Sequence, residues 1–198
     1  MVNAIEATYA RVRQRYEEVA ASGTCCAPAC CGAAYAPAEL AVIPPESFLG
    51  QGSGHPVRHA QLQPGEVVVD LGSGAGADVF LAAKQVGPTG RVIGIDITPA
   101  MVARARRIQV ASGVTNVAFQ EARMEQLPLA DHSADVVLSN CVINLSPAKE
   151  AVFREALRIL RPGGRVVMAD IVQERLLGLL EEDCGCVATA MVRAEYLN

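Results

Sequence analysis

The chain has 198 residues, 51% of them hydrophobic and 19% charged, with a formal net charge of −4. That length suits one globular domain that buries a core without disulfide or metal staples, and the mild acidity argues against a nucleic-acid binder, which would carry a basic stripe. No apolar run approaches the roughly 20 residues of a membrane span, and the first 23 residues mix charges with apolar side chains and lack a signal-peptide core, so the reading places the chain in the cytoplasm.

Taken in chain order, residues 3–21 predict an amphipathic helix, because Ile5, Tyr9, Val12, Tyr16 and Val19 recur every three to four residues. The stretch 22–64 holds Pro28, Pro37, Pro44, Pro45, Pro56 and Pro64, which excludes long helices and leaves a short one expected near 37–42. From residue 65 the pattern changes. Continuous apolar runs at 67–72, 91–96, 117–122, 134–140 and 165–172 predict strands covered on both faces. Helical patterns at 76–87, 99–112 and 147–160 separate most of them, with Gly163 and Gly164 after Pro162 expected to close the last helix. Residues 173–192 read as a further helix. This alternation predicts an α/β fold with a parallel sheet and right-handed crossovers. Residues 1–64 then form an N-terminal helix and an irregular Cys-rich cap, and residues 65–198 the α/β domain.

The first strand runs into Gly72-Ser73-Gly74-Ala75-Gly76 and then a helix. Small residues there let a ligand approach the backbone, and the helix N-terminus adds free N–H groups. Asp96 ends the second strand, 20 residues after Gly76, where a carboxylate can accept from ribose hydroxyls. Taken alone, this pattern also fits a tight strand–helix turn with no ligand.

Seven cysteines stand in three groups: Cys25, Cys26, Cys30 and Cys31; Cys141; and Cys184 with Cys186. An odd total fits poorly with a disulfide framework, and clustered cysteines in a cytosolic chain point to metal, metalloid or redox chemistry. The compact CC-x₃-CC patch is a poor tetrahedral cage for zinc.

DLGSGAGAD (70–78), GIDIT (94–98), LPLADHSADVV (127–137) and LRPGG (160–164) together resemble the class I S-adenosylmethionine-dependent methyltransferases. The resemblance implies a Rossmann-like three-layer sandwich with a mostly parallel sheet, here expected to lack the last two of seven strands. It implies S-adenosylmethionine as cofactor. Asp70, Gly72, Ser73 and Gly74 would hold its methionine end and Asp96 its ribose. Ile97 and Met124 would flank the adenine, and Met101 and Asn140 would be further cofactor contacts. A plain core-filling role for Met124 stays open.

SNCVINLSPAKEAVFREALRILRPGG (139–164), the Cys-rich N-terminus, GQGSGHPV (50–57), VGPTGRVIGIDITPAMV (86–102) and CGCVATAM (184–191) resemble the arsenite methyltransferases. That resemblance implies methyl transfer to thiol-bound trivalent arsenic, with Cys141 and Cys186 as catalytic thiolates and Cys184 as a competing third ligand. Cys25, Cys26, Cys30 and Cys31 would relay arsenic, and glutathione or thioredoxin would supply thiol. Soft thiolates suit a soft metalloid. Arsenic has no proton to lose, so His55, His59 and His132 are not required as bases. The family's Gly-Cys-Gly before the first strand is Gly52-Ser53-Gly54 here, which favours methylarsenite over arsenite as substrate. Two further readings stay open: a methyltransferase for another small molecule, and a non-catalytic arsenical- or metal-binding protein on this scaffold. The open edge at the fifth strand is a candidate for self-association.

Overall fold

The computed structural model describes residues 2–23 and 35–170, with side chains from residue 5 onward. Its elements are α1 (Val2–Ser22), α2 (Pro37–Leu40), α3 (Pro56–His59), β1 (Val67–Leu71), α4 (Ala77–Val86), β2 (Arg91–Asp96), α5 (Pro99–Ser112), β3 (Val117–Glu121), β4 (Ala134–Asn140), α6 (Lys149–Ile159) and β5 (Leu160–Ala169). Short 3-10 turns occupy Pro45–Ser47 and Ile143–Leu145. The expected helix over 173–192 and the cysteines at 25, 26, 30, 31, 184 and 186 lie outside the described residues.

The five strands pair in parallel in the order β3-β2-β1-β4-β5. The order turns back between β1 and β4, so a crevice opens beyond their carboxyl ends, the usual ligand position in open α/β sheets. Alternation along each strand splits the core into two layers. Val68, Val92, Val136 and Leu138 face α4 and α5, whose Val79, Phe80, Val86, Met101 and Ala105 are buried there. Val69, Leu71, Ile93, Ile95 and Val137 face α6, which buries Val152, Ala156 and Ile159. Burial on both faces is why these strands read as unbroken apolar runs.

The first layer extends into the N-terminal segment, since Val19, Tyr35, Ile43, Leu49 and Val57 belong to the same buried cluster. Arg104 on α5 donates to the Ala20 carbonyl at 3.0 Å and to the Glu46 carbonyl at 3.1 Å, tying the end of α1 and the first 3-10 turn to the domain. A guanidinium on the last carbonyls of a helix also opposes its dipole.

One expectation is corrected. Gly163 and Gly164 do not close a helix: α6 ends at Ile159 and β5 begins at Leu160 instead of residue 165. Ala134 pairs with Leu160 and Val136 with Arg165, so residues 161–164 bulge from the ladder. Gly163 takes φ 84° inside this bulge.

Candidate active site

A cleft opens at the carboxyl ends of β1, β2 and β4, and the glycine turn forms its floor. Gly72 is required there, because it has φ 67° and a Cβ would lie 2.3 Å from Val142. Gly76, at φ 98°, starts α4 without a side-chain cap. Asp96 is clamped at both oxygens: the Gly74 N–H donates to Oδ2 at 2.9 Å and the Thr98 N–H to Oδ1 at 2.8 Å. Burial raises its pKa, and those N–H groups oppose the rise. The clamp fixes the carboxylate while leaving it on the cleft wall, where lone pairs not used by the clamp can accept further hydrogen bonds.

Ile97 and Met124 both line the cleft, as expected of adenine neighbours. Met101 does not: its side chain is fully buried in the α4–α5 core layer, which removes it as a cofactor contact. Asp70 does not line the cleft either: it is 2% exposed near the end of β1, beneath the turn. Burial raises its pKa well above the ordinary aspartate value, with Asp78 and Asp96 adding to the rise. Asp78, in the first turn of α4, is also raised by burial.

Asn140 is the hub of a network that sequence reasoning does not reveal. Its Nδ2 donates to Tyr35 Oη at 2.9 Å, Asp78 Oδ2 at 3.1 Å and the Gly54 carbonyl at 3.1 Å. Its Oδ1 accepts from the Ser53 N–H at 3.1 Å and the Gly54 N–H at 3.4 Å. Tyr35 Oη donates in turn to Asp78 Oδ1 at 2.7 Å. Burial and the Asp78 charge push the Tyr35 hydroxyl pKa up, so it remains a donor. The network joins loop 52–54, α4 and β4 immediately before Cys141. Asp78 lies within the quoted glycine motif and was legible as a first-turn acid. Tyr35 carried no local signal, since its partners stand 43 and 105 residues away.

Cys141 is half-buried on the cleft wall. It takes φ 58°, a conformation that non-glycine residues rarely adopt and that concentrates at functional sites. Its N–H donates to the Ala169 carbonyl at 2.8 Å, which anchors the strained residue to β5. Ser53, the residue at the expected cysteine position, is exposed, is not among the lining residues, and bonds Asn140, the neighbour of Cys141, through its backbone.

Helix α1 covers the other side of the cleft with Tyr9, Val12 and Tyr16. It is held by Glu6, whose carboxylate accepts from Arg123 at 2.9 and 2.7 Å, and by the Arg123 guanidinium lying 4.2 Å from the Tyr9 ring centre. Ser146 donates a short hydrogen bond to Glu125 beside it. The charged side chains lining the cleft are Asp78, Asp96 and Glu125; none is basic among the described residues. A crevice lined by carboxylates, with Asp70 below, suits a cation, and S-adenosylmethionine carries a sulfonium and an ammonium.

Comparison with known proteins agrees with this geometry. The methyltransferase domain family matches residues 62–197. An arsenite methyltransferase of Halobacterium salinarum is 43% identical over 85% of this chain and 48% of its own length. One of Aquipseudomonas alcaligenes is 38% identical over 89% of this chain and 52% of its own. The chain therefore spans about half the length of these curated relatives. Among solved structures, an arsenic(III) S-adenosylmethionine methyltransferase from Chlamydomonas reinhardtii superposes with a TM-score of 0.66 at 38% identity, covering 77% of this chain and 56% of that one. A S-adenosylmethionine-dependent methyltransferase from Aquifex aeolicus gives 0.56 at 26% identity, covering 72% of each chain. This chain belongs to the methyltransferase domain family and has the Rossmann-like fold of the class I enzymes.

Proposed function

We propose that the protein transfers methyl from S-adenosylmethionine to trivalent arsenic held by thiolates, with methylarsenite favoured over arsenite. The observation that carries the reading is Cys141: a half-buried thiol in a strained backbone conformation, at the end of β4, on the wall of an acid-lined cleft beside the glycine turn. The relatives named arsenite methyltransferase support the choice of substrate.

When bound, S-adenosylmethionine supplies a methyl group on a sulfonium, a soft electrophile. The residues of this chain hold and orient. Asp70 and the backbone of Gly72, Ser73 and Gly74 take the methionine end, Asp96 the ribose, and Ile97 and Met124 the adenine. Cys141 and Cys186 hold the arsenical, and Cys184 is the alternative ligand to Cys186. The Asn140 network fixes the backbone that carries Cys141. Arsenic carries no proton to lose and keeps a lone pair when bound by thiolates, so the site needs position more than acid–base chemistry. Ser53 supplies no sulfur, and two protein thiolates match the two open valences of methylarsenite. Cys25, Cys26, Cys30 and Cys31 would deliver the arsenical, and glutathione or thioredoxin would keep the thiols reduced. No helix among the described residues is long and apolar enough to cross a membrane. We place the reaction in the cytoplasm.

The test is methyl transfer from labelled S-adenosylmethionine, run side by side with arsenite and methylarsenite in excess thiol. The expected result is product from both, more from methylarsenite. Cys141→Ser should lower turnover at least about 100-fold with cofactor affinity unchanged, because hydroxyl is a poor ligand for a soft metalloid. Equal or better turnover of arsenite by that variant would overturn the reading. Tight arsenical binding without product would instead mark a binding protein.

A further inference from the structure

We propose that Gln51 holds the α-carboxylate of S-adenosylmethionine through its side-chain amide. The proposal rests on the cofactor reading above and extends it to a residue outside the glycine motif.

Gln51 stands between Gly50 and Gly52, which take φ 68° and 113°. A Cβ at Gly52 would lie 2.8 Å from Asn140 Nδ2, so this loop is pressed against the Asn140 hub. Gln51 is the side chain that it presents to the cleft. The carboxamide stands over the glycine turn: a Cβ built on Gly74 would be 4.0 Å from Gln51 Oε1.

Its Nε2 is buried and has no hydrogen-bond partner. Arg13 Nε, His55 Nε2 and Ser139 Oγ share that condition among the described residues, but none of these residues lines the cleft, and His55 Nε2 lies 3.0 Å from Glu39 Oε1. Buried donors in native structures are almost always paired, and an unpaired one on a cleft wall points to a ligand acceptor. The chemistry of the cleft says which acceptor. Its carboxylates suit the ammonium and sulfonium of the cofactor, yet they repel the carboxylate at the same end of the molecule. With no basic side chain lining the cleft among the described residues, that carboxylate needs neutral donors. Several nearby donors are already engaged. Asn140 Nδ2 serves Tyr35, Asp78 and Gly54. The Gly74 N–H serves Asp96, and the Ser73 N–H serves the Ile95 carbonyl. The Gln51 amide is a further donor, with no partner of its own, beside the turn assigned to the methionine end.

The experiment is calorimetric binding of S-adenosylhomocysteine and of its decarboxylated analogue, which lacks only the α-carboxylate. Wild type is expected to bind S-adenosylhomocysteine about tenfold more tightly than the analogue, about 1.4 kcal/mol. In Gln51→Leu that preference should collapse to within about twofold, with analogue affinity retained. Gln51→Glu should weaken S-adenosylhomocysteine further and spare the analogue, since it sets carboxylate against carboxylate. Thermal melts matching wild type exclude misfolding. If Gln51→Leu weakens both ligands equally, or neither, Gln51 does not hold the carboxylate, and the cofactor reading stands. If wild type binds neither ligand, the cofactor reading itself falls and this assignment falls with it.

Discussion

At the amino end of the sheet, Glu66 and Asp135 each face an arginine. Arg165 donates to both oxygens of Glu66 at 2.7 and 2.9 Å, and Arg161 donates to Asp135 at 2.7 and 2.8 Å while the Val67 N–H adds a bond at 2.8 Å. Arg165 holds the Glu66 carboxyl below its usual range, and for Asp135 the Val67 N–H and Arg161 outweigh the opposing effect of burial. At the carboxyl end, Asp70, Asp78 and Asp96 are all raised by burial, and no arginine or lysine lines the cleft among the described residues. The same residue types thus serve opposite ends. Acids below are complete in the folded chain and stabilise it. Among the described residues, acids above have neutral hydrogen-bond donors or none and face no arginine or lysine, so their burial is a stability cost, which on the proposed function is carried for binding a cation.

This contrast breaks most sharply at Asp96. Asp96→Ala should lower affinity for S-adenosylmethionine by about 30- to 100-fold, the loss of about 2–3 kcal/mol from charge-assisted bonds to a ribose, read by calorimetry. The fold should persist, because β1, β2 and β4 are paired independently of that side chain. Unchanged affinity would mean that the carboxyl-end acids do not face the cofactor.

Asp70→Asn sharpens the same contrast with a smaller and opposite effect on stability. Asp70 has a folded pKa above its unfolded value. Its burial is therefore tolerated best below about pH 4, where both states are protonated, and becomes costly as pH rises toward the folded pKa. The neutral isostere should stabilise the ligand-free protein by about 1–2 kcal/mol at pH 8. That gain should vanish toward pH 4, while cofactor affinity at pH 8 falls. Melting curves at the two pH values, without ligand, check it. A variant less stable than wild type at pH 8 would show that Asp70 is already compensated.

Much of this arrangement was legible in the sequence. The glycine turn, Asp96 and Cys141 fall where motif spacing placed them because each depends on a strand end, and unbroken apolar runs mark those strands reliably. Local reading failed where partners are distant or where one pattern serves two structures. LRPGG reads as a helix stop, yet pairing of Leu160 with Ala134 extends β5 back through it as a bulge. Met101 sits beside cofactor motifs, but the phase of α5 turns it into the core. Tyr35 lies in a proline-broken segment whose pattern says nothing of a bond to Asn140. Gln51 resembles any loop glutamine until the fold buries its amide and leaves it unpaired.

The smallest expected effect tests the amino end. Glu66 is 15% and Arg165 34% exposed at the side chain, so solvent screens the pair and only part of its Coulomb energy reaches stability. Glu66 also accepts from the Gln63 N–H at 2.8 Å, and Arg165 donates to the Ala60 carbonyl at 2.7 Å, so the pair joins the cap segment to β5. Glu66→Gln should cost about 1 kcal/mol at pH 7, a fall in Tm of about 2–4 °C for a chain of this size. The folded pKa lies below the unfolded value, so the contribution of Glu66 is present above about pH 4 and is lost as pH falls through the folded pKa. The gap between variant and wild type should therefore close in acid, as it does for Asp70→Asn, but with the opposite sign, since here the variant is the less stable protein at pH 7. Cofactor affinity should not change, because this carboxylate lies at the far end of β1. A shift in affinity with this variant would mean that the two ends are coupled through the sheet, and the division of labour between them would fail.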